Sequence, residues 1–266
     1  MKGNSVLNSQ PHQCYTDQNN GSFRQKMTVF CDFDGPIVDV STRYYSTYEL
    51  ALADTFAIYK EDGETLPIQM LTKQQFWQMK QDRVPDIEIA MRSGLQGEQI
   101  DVFLERVVKI VNHPALLAKD RMQPGVNWAI ALMHSKDVRL VLVTLRCQSQ
   151  ATQILQNYGL ARLFSGIYGT ADKNAAYKNY AEVKTQLLEK AIAEQEGQGK
   201  PLSSAWMVGD TEADITAGKA MGIPTIALTC GIRSSLYLKQ FQPTRIACDL
   251  LSVAHYLLDI KKLVRA

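Results

Sequence analysis

The chain has 266 residues, of which 45% are hydrophobic and 21% are charged, as in an ordinary soluble globular protein that buries a substantial core. A net charge of only +2, with apolar runs too short for a membrane span, argues against nucleic acid and membrane surfaces as partners. The five cysteines are odd in number and form no Cys-x-x-Cys pair, so we expect reduced thiols in a cytoplasmic protein.

The first 26 residues are rich in Asn, Gln and Ser and lack the apolar segment of a signal peptide. We therefore expect residues 1–26 to form a flexible leader. Met27 stands where the first predicted strand begins, so translation starting at Met27 and translation starting at Met1 are both compatible with the sequence.

A short apolar run, Val29–Cys31, predicts a buried strand that ends at two carboxylates, Asp32 and Asp34, followed by Gly35. In open α/β sheets, ligands bind at the carboxyl ends of the strands, so acids at this position indicate a ligand-binding site. Side chains two residues apart on an extended chain point to the same side, so Asp32 and Asp34 are expected to be neighbours. Two neighbouring carboxylates can bind a hard divalent cation, which prefers oxygen ligands. The glycine spacing excludes a calcium loop of the EF-hand type.

The segment 41–121 changes character to amphipathic helices without a strand between them, which predicts a compact helical insert. The predicted helices begin near Ser41, Thr72, Pro85 and Glu98, and Ser41 is predicted to cap the first of them.

Beyond Pro124-Gly125 the pattern becomes a regular alternation of strand and helix. Strands are predicted at 138–143, 163–168, 205–208 and 225–228, and helices at 126–135, 148–158, 180–196, 213–221 and near 250–260. Such alternation predicts an α/β fold, a doubly wound parallel sheet of Rossmann-like type with helices on both faces. The domains predicted are a core of residues 27–40 and 122–266 and a helical cap of residues 41–121.

Polar residues stand at three of these predicted strand ends. They are Asp32 and Asp34, then Thr144, then Asp210 with Asp214 four residues on, and Lys184 lies between the second and third. In this order the motifs resemble those of the haloacid dehalogenase-like hydrolase superfamily, phosphatase type, with a helical cap inserted after the first motif.

This resemblance implies a role for each motif residue. Asp32 would be the nucleophile that forms an aspartyl-phosphate, and Asp34 the general acid and base. Mg²⁺ would be held by Asp32, Asp210, Asp214 and the backbone carbonyl of Asp34. Thr144 would donate its hydroxyl to the phosphoryl oxygens, and Lys184 would supply a fixed positive charge beside them.

Simpler interpretations remain open for several of these residues. Thr144 can be an ordinary strand residue, since threonine is common in strands. Asp214 can serve only to cap its helix. Lys173 and Lys178 are alternatives to Lys184 for the role of the fixed positive charge. Arg146 and Arg233 each follow a strand end and are candidates for substrate contact. In the insert, further candidates for facing the site are Tyr44, Tyr45, Trp77, Lys80, Arg83 and Arg92, of which Lys80, Arg83 and Arg92 are predicted to bind substrate.

The function expected from the resemblance is a magnesium-dependent phosphatase of a small phosphorylated metabolite, acting through an aspartyl-phosphate. One alternative is a phosphotransferase like the sugar phosphomutases, which use the same acids and differ in the acceptor of the phosphoryl group. An alternative of another class is a binding module without turnover on the same fold.

Overall fold

The computed structural model of the protein describes residues 27–199, 202 and 204–263. The leader predicted for residues 1–26 lies outside them.

The centre of the molecule is a parallel sheet of six strands in the order β5-β4-β1-β6-β7-β8. The strands of the described residues are β1 (Thr28–Cys31), β2 (Val38–Asp39), β3 (Arg121–Met122), β4 (Arg139–Cys147), β5 (Phe164–Thr170), β6 (Ala205–Gly209), β7 (Thr225–Leu228) and β8 (Arg245–Ala247). Cys31 at the end of β1 pairs with Leu142 of β4 on one side and Val208 of β6 on the other. The first motif therefore stands at the middle of the sheet.

Helices cover both faces of this sheet and fill the segment between β2 and β3. They are α1 (Ser41–Glu61), α2 (Lys73–Gln81), α3 (Asp86–Arg92), α4 (Glu98–Ile110), α5 (Pro114–Leu117), α6 (Val126–Ser135), α7 (Gln148–Asn157), α8 (Ala175–Lys178), α9 (Ala181–Gly197), α10 (Glu212–Ala220), α11 (Ser235–Lys239) and α12 (Leu250–Leu263).

Alternation along the central strands divides the core between the two faces. Val29 and Cys31 belong to the larger buried cluster, which includes residues of α6 and α12, whereas Phe30 belongs to a second cluster with residues of α9 and α10. All three side chains are almost completely buried. Both faces of the strand are thus covered, as its continuous apolar sequence predicts.

The helical insert leaves and re-enters the core at a single place. β2 and β3 form a short antiparallel ribbon in which Val38 pairs with Met122 and Asp39 with Arg121. The insert between them holds α1 to α5. Thr72 caps α2 in a capping box with Gln75, as a helix start at this threonine requires.

The predicted fold class is confirmed, and two local predictions were wrong. β4 continues to Cys147, so Thr144 lies inside the strand and not after it, because Cys147 still pairs with Thr170 of β5 across an irregular register. Ser41 is the first residue of α1 and does not cap it, because Val40 holds the capping position and no described side chain caps the helix. The Ser41 amide instead donates to Asp39 Oδ1 at 2.8 Å. No helix among the described residues is long and apolar enough to cross a membrane.

Candidate active site

Three carboxylates from separate parts of the chain meet at the carboxyl end of the central strands. Asp32 follows β1, Asp210 follows β6, and Asp214 lies in the first turn of α10. One oxygen of each lies within 4.8 Å of the others, and all three residues are buried. We call Asp32, Asp210 and Asp214 the acidic triad.

Backbone and hydroxyl donors fix the triad carboxylates individually. The Phe33 amide donates to Asp32 Oδ1 at 2.7 Å, and the Ile232 amide donates to Asp210 Oδ2 at 2.6 Å. Asp214 Oδ2 accepts from the amide and hydroxyl of Thr211, at 3.0 and 2.8 Å. The capping interaction that starts α10 therefore also orients Asp214.

Glycines allow the backbone to approach the triad closely. A Cβ on Gly35 or on Gly231 would overlap the carboxylate of Asp210, and a Cβ on Gly209 would overlap the carboxylate of Asp214. Gly35 also has a φ of 94°, a left-handed conformation that other residues rarely adopt. The backbone around the triad therefore has no room for side chains at these three positions.

Lys184 is a cation in direct contact with the triad. Its Nζ lies 2.8 Å from Asp32 Oδ1 and 2.7 Å from Asp214 Oδ1, and the side chain is 1% exposed. The competing lysines Lys173 and Lys178 are exposed to solvent. Although burial would lower the pKa of Lys184, the Asp214 and Asp32 carboxylates together raise it above its ordinary value.

The triad carries more negative charge than Lys184 neutralises. Burial, together with the charge of Asp214, raises the pKa of Asp32 to about 7 against the opposing effect of Lys184. Burial, followed by the charges of Asp32 and Asp214, raises the pKa of Asp210 well above its ordinary value. Asp210 Oδ1 is buried and has no hydrogen-bond partner among the described residues. Clustered carboxylate oxygens with an unused acceptor fit a hard cation such as Mg²⁺.

Asp34 belongs to a different arrangement, a buried ring of alternating charges. Asp34 Oδ2 lies 3.1 Å from Arg43 Nη2, and Arg43 Nε lies 2.9 Å from Asp120 Oδ1. Asp120 Oδ2 lies 2.5 Å from Arg146 Nη2, and Arg146 Nε lies 2.7 Å from Asp34 Oδ1. We call Asp34, Arg43, Asp120 and Arg146 the charge ring.

The charge ring joins the core to both ends of the insert. Asp34 and Arg146 belong to the core, Arg43 to the first turn of α1, and Asp120 directly precedes β3. Burial would raise the pKa of Asp34, but the adjacent Arg146 and Arg43 hold it below its ordinary value. In this arrangement the Asp34 carboxyl is ionised and both of its oxygens face a guanidinium group.

Thr144 lies on the strand beside Asp32 and Asp34. β1 pairs with β4 up to Cys31 and Leu142, and Thr144 lies two residues beyond Leu142 on β4. Its side chain is 1% exposed, and its Oγ1 accepts from the Arg146 amide at 3.1 Å. Thr144 therefore lies on the strand that neighbours the one followed by the first motif.

The substrate-binding candidates of the insert separate into two groups. Lys80 is 7% exposed with its Nζ 2.8 Å from Asp86, and Arg83 reaches across to Glu212 of α10, at 3.1 Å. Arg92 is exposed on α3 and pairs with Glu88 of the same helix, so it is not among the residues brought to the site.

Several residues of this region were not found from the sequence. Arg43 and Asp120, which are 77 positions apart in the chain, were both missed. Arg43 stands four residues after Asp39, on the first turn of a helix that leaves the site, which was a usable signal. Asp120 offered no such signal.

Comparison with known proteins assigns the chain to a family. A family model described as haloacid dehalogenase-like hydrolase matches residues 26–222. The chain therefore belongs to the haloacid dehalogenase-like hydrolases.

Individual relatives are more distant. A phosphoglycolate phosphatase of Mesorhizobium japonicum is 30% identical over 48% of this chain and 52% of its own length. The protein named "Probable phosphatase IndB" of Dickeya dadantii is 27% identical over 88% of this chain and 96% of its own. The pyrophosphatase PpaX of Halalkalibacterium halodurans is 30% identical over 45% of this chain and 52% of its own length. The chain thus spans about half the length of the first and third of these relatives.

Solved structures share the fold. The haloacid dehalogenase-like family protein SP0104 of Streptococcus pneumoniae has a TM-score of 0.56 at 20% identity, covering 88% of this chain and 99% of that one. A subfamily IA hydrolase of the same superfamily from Geobacter sulfurreducens has a TM-score of 0.57 at 17% identity, covering 88% and 97%.

Proposed function

We propose that this protein is a magnesium-dependent phosphatase that hydrolyses a small phosphorylated metabolite through an aspartyl-phosphate on Asp32. The observation that carries the proposal is the acidic triad with Lys184, in which a nucleophile, further metal ligands and one fixed cation meet in a buried site. The names of the relatives, two phosphatases and a pyrophosphatase, agree with phosphoryl substrates.

The side chains of Asp32, Asp210 and Asp214 and the backbone carbonyl of Asp34 would hold the metal ion. When bound, Mg²⁺ would offset the negative charge of both the carboxylates and the phosphoryl group. Two observations support this ligand set: Asp210 Oδ1 has no hydrogen-bond partner in the described part of the chain, and the triad has an excess of negative charge.

In the first step, a carboxylate oxygen of Asp32 forms a bond to phosphorus while the bond to the leaving oxygen breaks, and that oxygen keeps the electron pair. The contacts of Asp32 with the Phe33 amide and with Lys184 go to Oδ1, which leaves Oδ2 for the attack. Lys184 and the Thr144 hydroxyl would stabilise the charge that develops on the phosphoryl oxygens. In the second step, a water oxygen forms a bond to phosphorus, the bond between phosphorus and the Asp32 oxygen breaks, and inorganic phosphate leaves with Asp32 regenerated as a carboxylate.

Asp34 in its ionised form suits the second step, in which it would accept a proton from the attacking water. Protonating a leaving alkoxide in the first step requires Asp34 to take up a proton, which Arg43 and Arg146 oppose in this arrangement. We infer that the charge ring must loosen before Asp34 acts as an acid, or that the leaving group departs without a proton.

The helical insert, residues 41–121, would act as the cap over this site, with Lys80 and Arg83 facing the substrate. A closed cap would exclude water and select substrate. A cytoplasmic location agrees with four cysteines that are free among the described residues.

The test is release of phosphate from para-nitrophenyl phosphate with Mg²⁺. We expect Asp32→Asn to lower kcat/KM by about ten-thousandfold, because an amide is not a nucleophile toward phosphorus. A matched control is Asp82→Asn, which changes an exposed carboxylate at the end of α2 and should leave kcat/KM within about twofold. Borohydride trapping during turnover, followed by mass spectrometry, should modify the peptide that contains Asp32.

Two outcomes would reject the phosphatase. Interconversion of sugar phosphates primed by a bisphosphate, without phosphate release, would assign the protein to the phosphomutases. Binding of phosphate esters by calorimetry without any turnover would make it a binding module.

A further inference from the structure

We propose that Arg233 is a positioning residue for the metal site, because it holds the segment that fixes Asp210 and joins that segment to the helical insert. This inference rests on the proposed function, in which Asp210 is a ligand of Mg²⁺. The segment consists of residues 230–234, between β7 and α11. We call it the anchor segment.

The anchor segment lies directly against the carboxylate of Asp210. The Ile232 amide donates to Asp210 Oδ2 at 2.6 Å, and the other oxygen, Oδ1, has no hydrogen-bond partner among the described residues. Gly231 approaches the same carboxylate so closely that a Cβ on this residue would overlap it. A shift of the anchor segment would therefore move or release one of the three carboxylates of the acidic triad.

Tertiary contacts must keep the anchor segment in place. Residues 230–234 are all described, and they belong to neither a helix nor a strand. Backbone groups in such a segment find their partners outside the regular ladders of hydrogen bonds. The position of the Ile232 amide therefore depends on what the neighbouring side chains and helices hold.

Arg233 supplies two of these contacts at once. Its side chain, which the sequence made a candidate for substrate contact, is buried between other protein groups. Arg233 Nε lies 2.9 Å from Glu212 Oε2, and Arg233 Nη1 donates to the carbonyl of Lys80 at 3.1 Å. Glu212 stands in the first turn of α10, midway between Asp210 and Asp214. Because a guanidinium group is planar and rigid, Arg233 fixes the anchor segment relative to α10 and to α2 together.

The contact with the insert uses the C-terminal end of α2. The last carbonyls of a helix have no partner within it, and a cation beside them is favoured by the helix dipole. The Lys80 carbonyl accepts from Arg233, and the Gln81 carbonyl accepts from the Ser234 amide at 2.9 Å. In return, Gln81 Nε2 donates to the carbonyl of Gly231 at 3.4 Å. The insert therefore docks on the same segment that fixes Asp210.

A shared segment couples docking of the insert to binding of the cation. Ordering of the anchor segment favours both events, and a coupling of this kind is reciprocal. We expect Arg233 to tighten the binding of Mg²⁺ at the triad, and we expect bound Mg²⁺ to tighten the docking of α2.

The first test is the Kd for Mg²⁺ of the full chain, measured by titration calorimetry without substrate. Arg233→Met removes the guanidinium group, and we expect the Kd to rise about tenfold, since residues that orient a metal ligand are worth about 10–100-fold in affinity. Arg233→Lys keeps a charge beside Glu212 but cannot bind both acceptors, so we expect a rise of about threefold. If Arg233→Met does not fold, Arg233→Lys carries the test.

Tyr177→Phe is the matched control. It removes a buried hydroxyl that donates to Asp86 of the insert at 2.8 Å, and that contact involves no residue of the anchor segment. The Kd for Mg²⁺ should therefore stay within about twofold of the value for the unaltered protein.

Hydrogen exchange along α2, followed by mass spectrometry, tests the reciprocal effect. Mg²⁺ should slow exchange in residues 73–81 of the unaltered protein, and this slowing should be largely lost in Arg233→Met. A purely structural role of Arg233 would instead lower the stability to urea in EDTA and leave the Kd for Mg²⁺ as it was.

The inference and the proposed function fail in different ways. An unchanged Kd in the Arg233 variants, or exchange along α2 that does not respond to Mg²⁺, would overturn the inference while hydrolysis of para-nitrophenyl phosphate persists. A raised Kd in the variants of a chain that hydrolyses no phosphate ester would reject the phosphatase alone. A chain that binds no Mg²⁺ would reject both.

Discussion

The acidic triad and the charge ring are two neighbouring sets of buried charged residues that differ in how far their charges are balanced. In the charge ring, two aspartates and two arginines alternate, and each carboxylate contacts two guanidinium groups. In the acidic triad, only Asp32 and Asp214 contact Lys184, and Asp210 Oδ1 has no hydrogen-bond partner among the described residues. The balanced set is suited to holding the chain together, and the unbalanced set to receiving a cation.

The strongest test of the ring as a structural element is Arg43→Met. We expect the free energy of unfolding to fall by about 3–5 kcal/mol, because two buried carboxylates, Asp34 and Asp120, each lose a partner. Urea unfolding measures this change. Arg106→Met is the control, since its pair with Asp54 is partly exposed and should cost about 1 kcal/mol or less. Equal costs for the two variants would mean that the ring does not stabilise the fold.

Gly35→Ala tests the crowding around the triad. An alanine Cβ would overlap the Asp210 carboxylate, so we expect kcat/KM to fall by about a hundredfold or more. The matched control is Gly63→Ala. Gly63 also has a left-handed φ, of 83°, but no described atom lies within 4 Å of the position that its Cβ would take. Both variants should lose about 1–2 kcal/mol of stability from left-handed strain. Retained activity in Gly35→Ala would show that Asp210 can shift without consequence.

Binding of Mg²⁺ should stabilise the folded protein through the acidic triad and not through the charge ring. At a concentration about a hundredfold above its Kd, Mg²⁺ should raise the free energy of unfolding by about 2.7 kcal/mol. Asp210→Asn should lose most of that gain, whereas Asp120→Asn should retain it, although the latter starts from a lower stability. Thermal melts with and without the ion measure both shifts. The same gain in both variants would place cation binding outside the triad.

The smallest effect concerns pH in the absence of metal. The folded-state pKa of Asp210 lies above its ordinary value of 3.8, so its protonated form stabilises the fold at low pH. That contribution is lost as the pH rises through the folded-state pKa. At about pH 8 without metal, Asp210→Asn should therefore be more stable than the unaltered protein, by about 1–2 kcal/mol. Urea unfolding between about pH 4 and pH 8 follows this difference, and a less stable Asp210→Asn at the higher pH would contradict it.

The sequence was sufficient for the sheet and for the acids at its strand ends. Buried apolar runs that stop at Asp32 and Asp210 identify central strands and the edge where they end, because strand interior and ligand crevice need different residues. Lys184 was preferred because it lies at the start of the helix before β6, as the lysine does in the family that the motifs resemble. These features depend on local pattern and on motif order.

The charge ring was beyond such reasoning. Arg43 and Asp120 meet because the insert folds back on itself. A contact between residues 77 positions apart produces no periodic pattern in the sequence. The extension of β4 past Thr144 was missed for a related reason. Leu145, Arg146 and Cys147 alternate apolar and polar character only weakly, and the pairing of Cys147 with Thr170 decides the assignment.

The β2–β3 ribbon has a consequence for how this protein can change. Because the chain departs at Asp39 and returns beside it at Arg121, the distance that any replacement segment must bridge is one strand spacing. Segments of other lengths or architectures fit the same attachment point without displacing a strand of the sheet. The insert can therefore be exchanged in evolution while the acidic triad and Lys184 keep their places in the core.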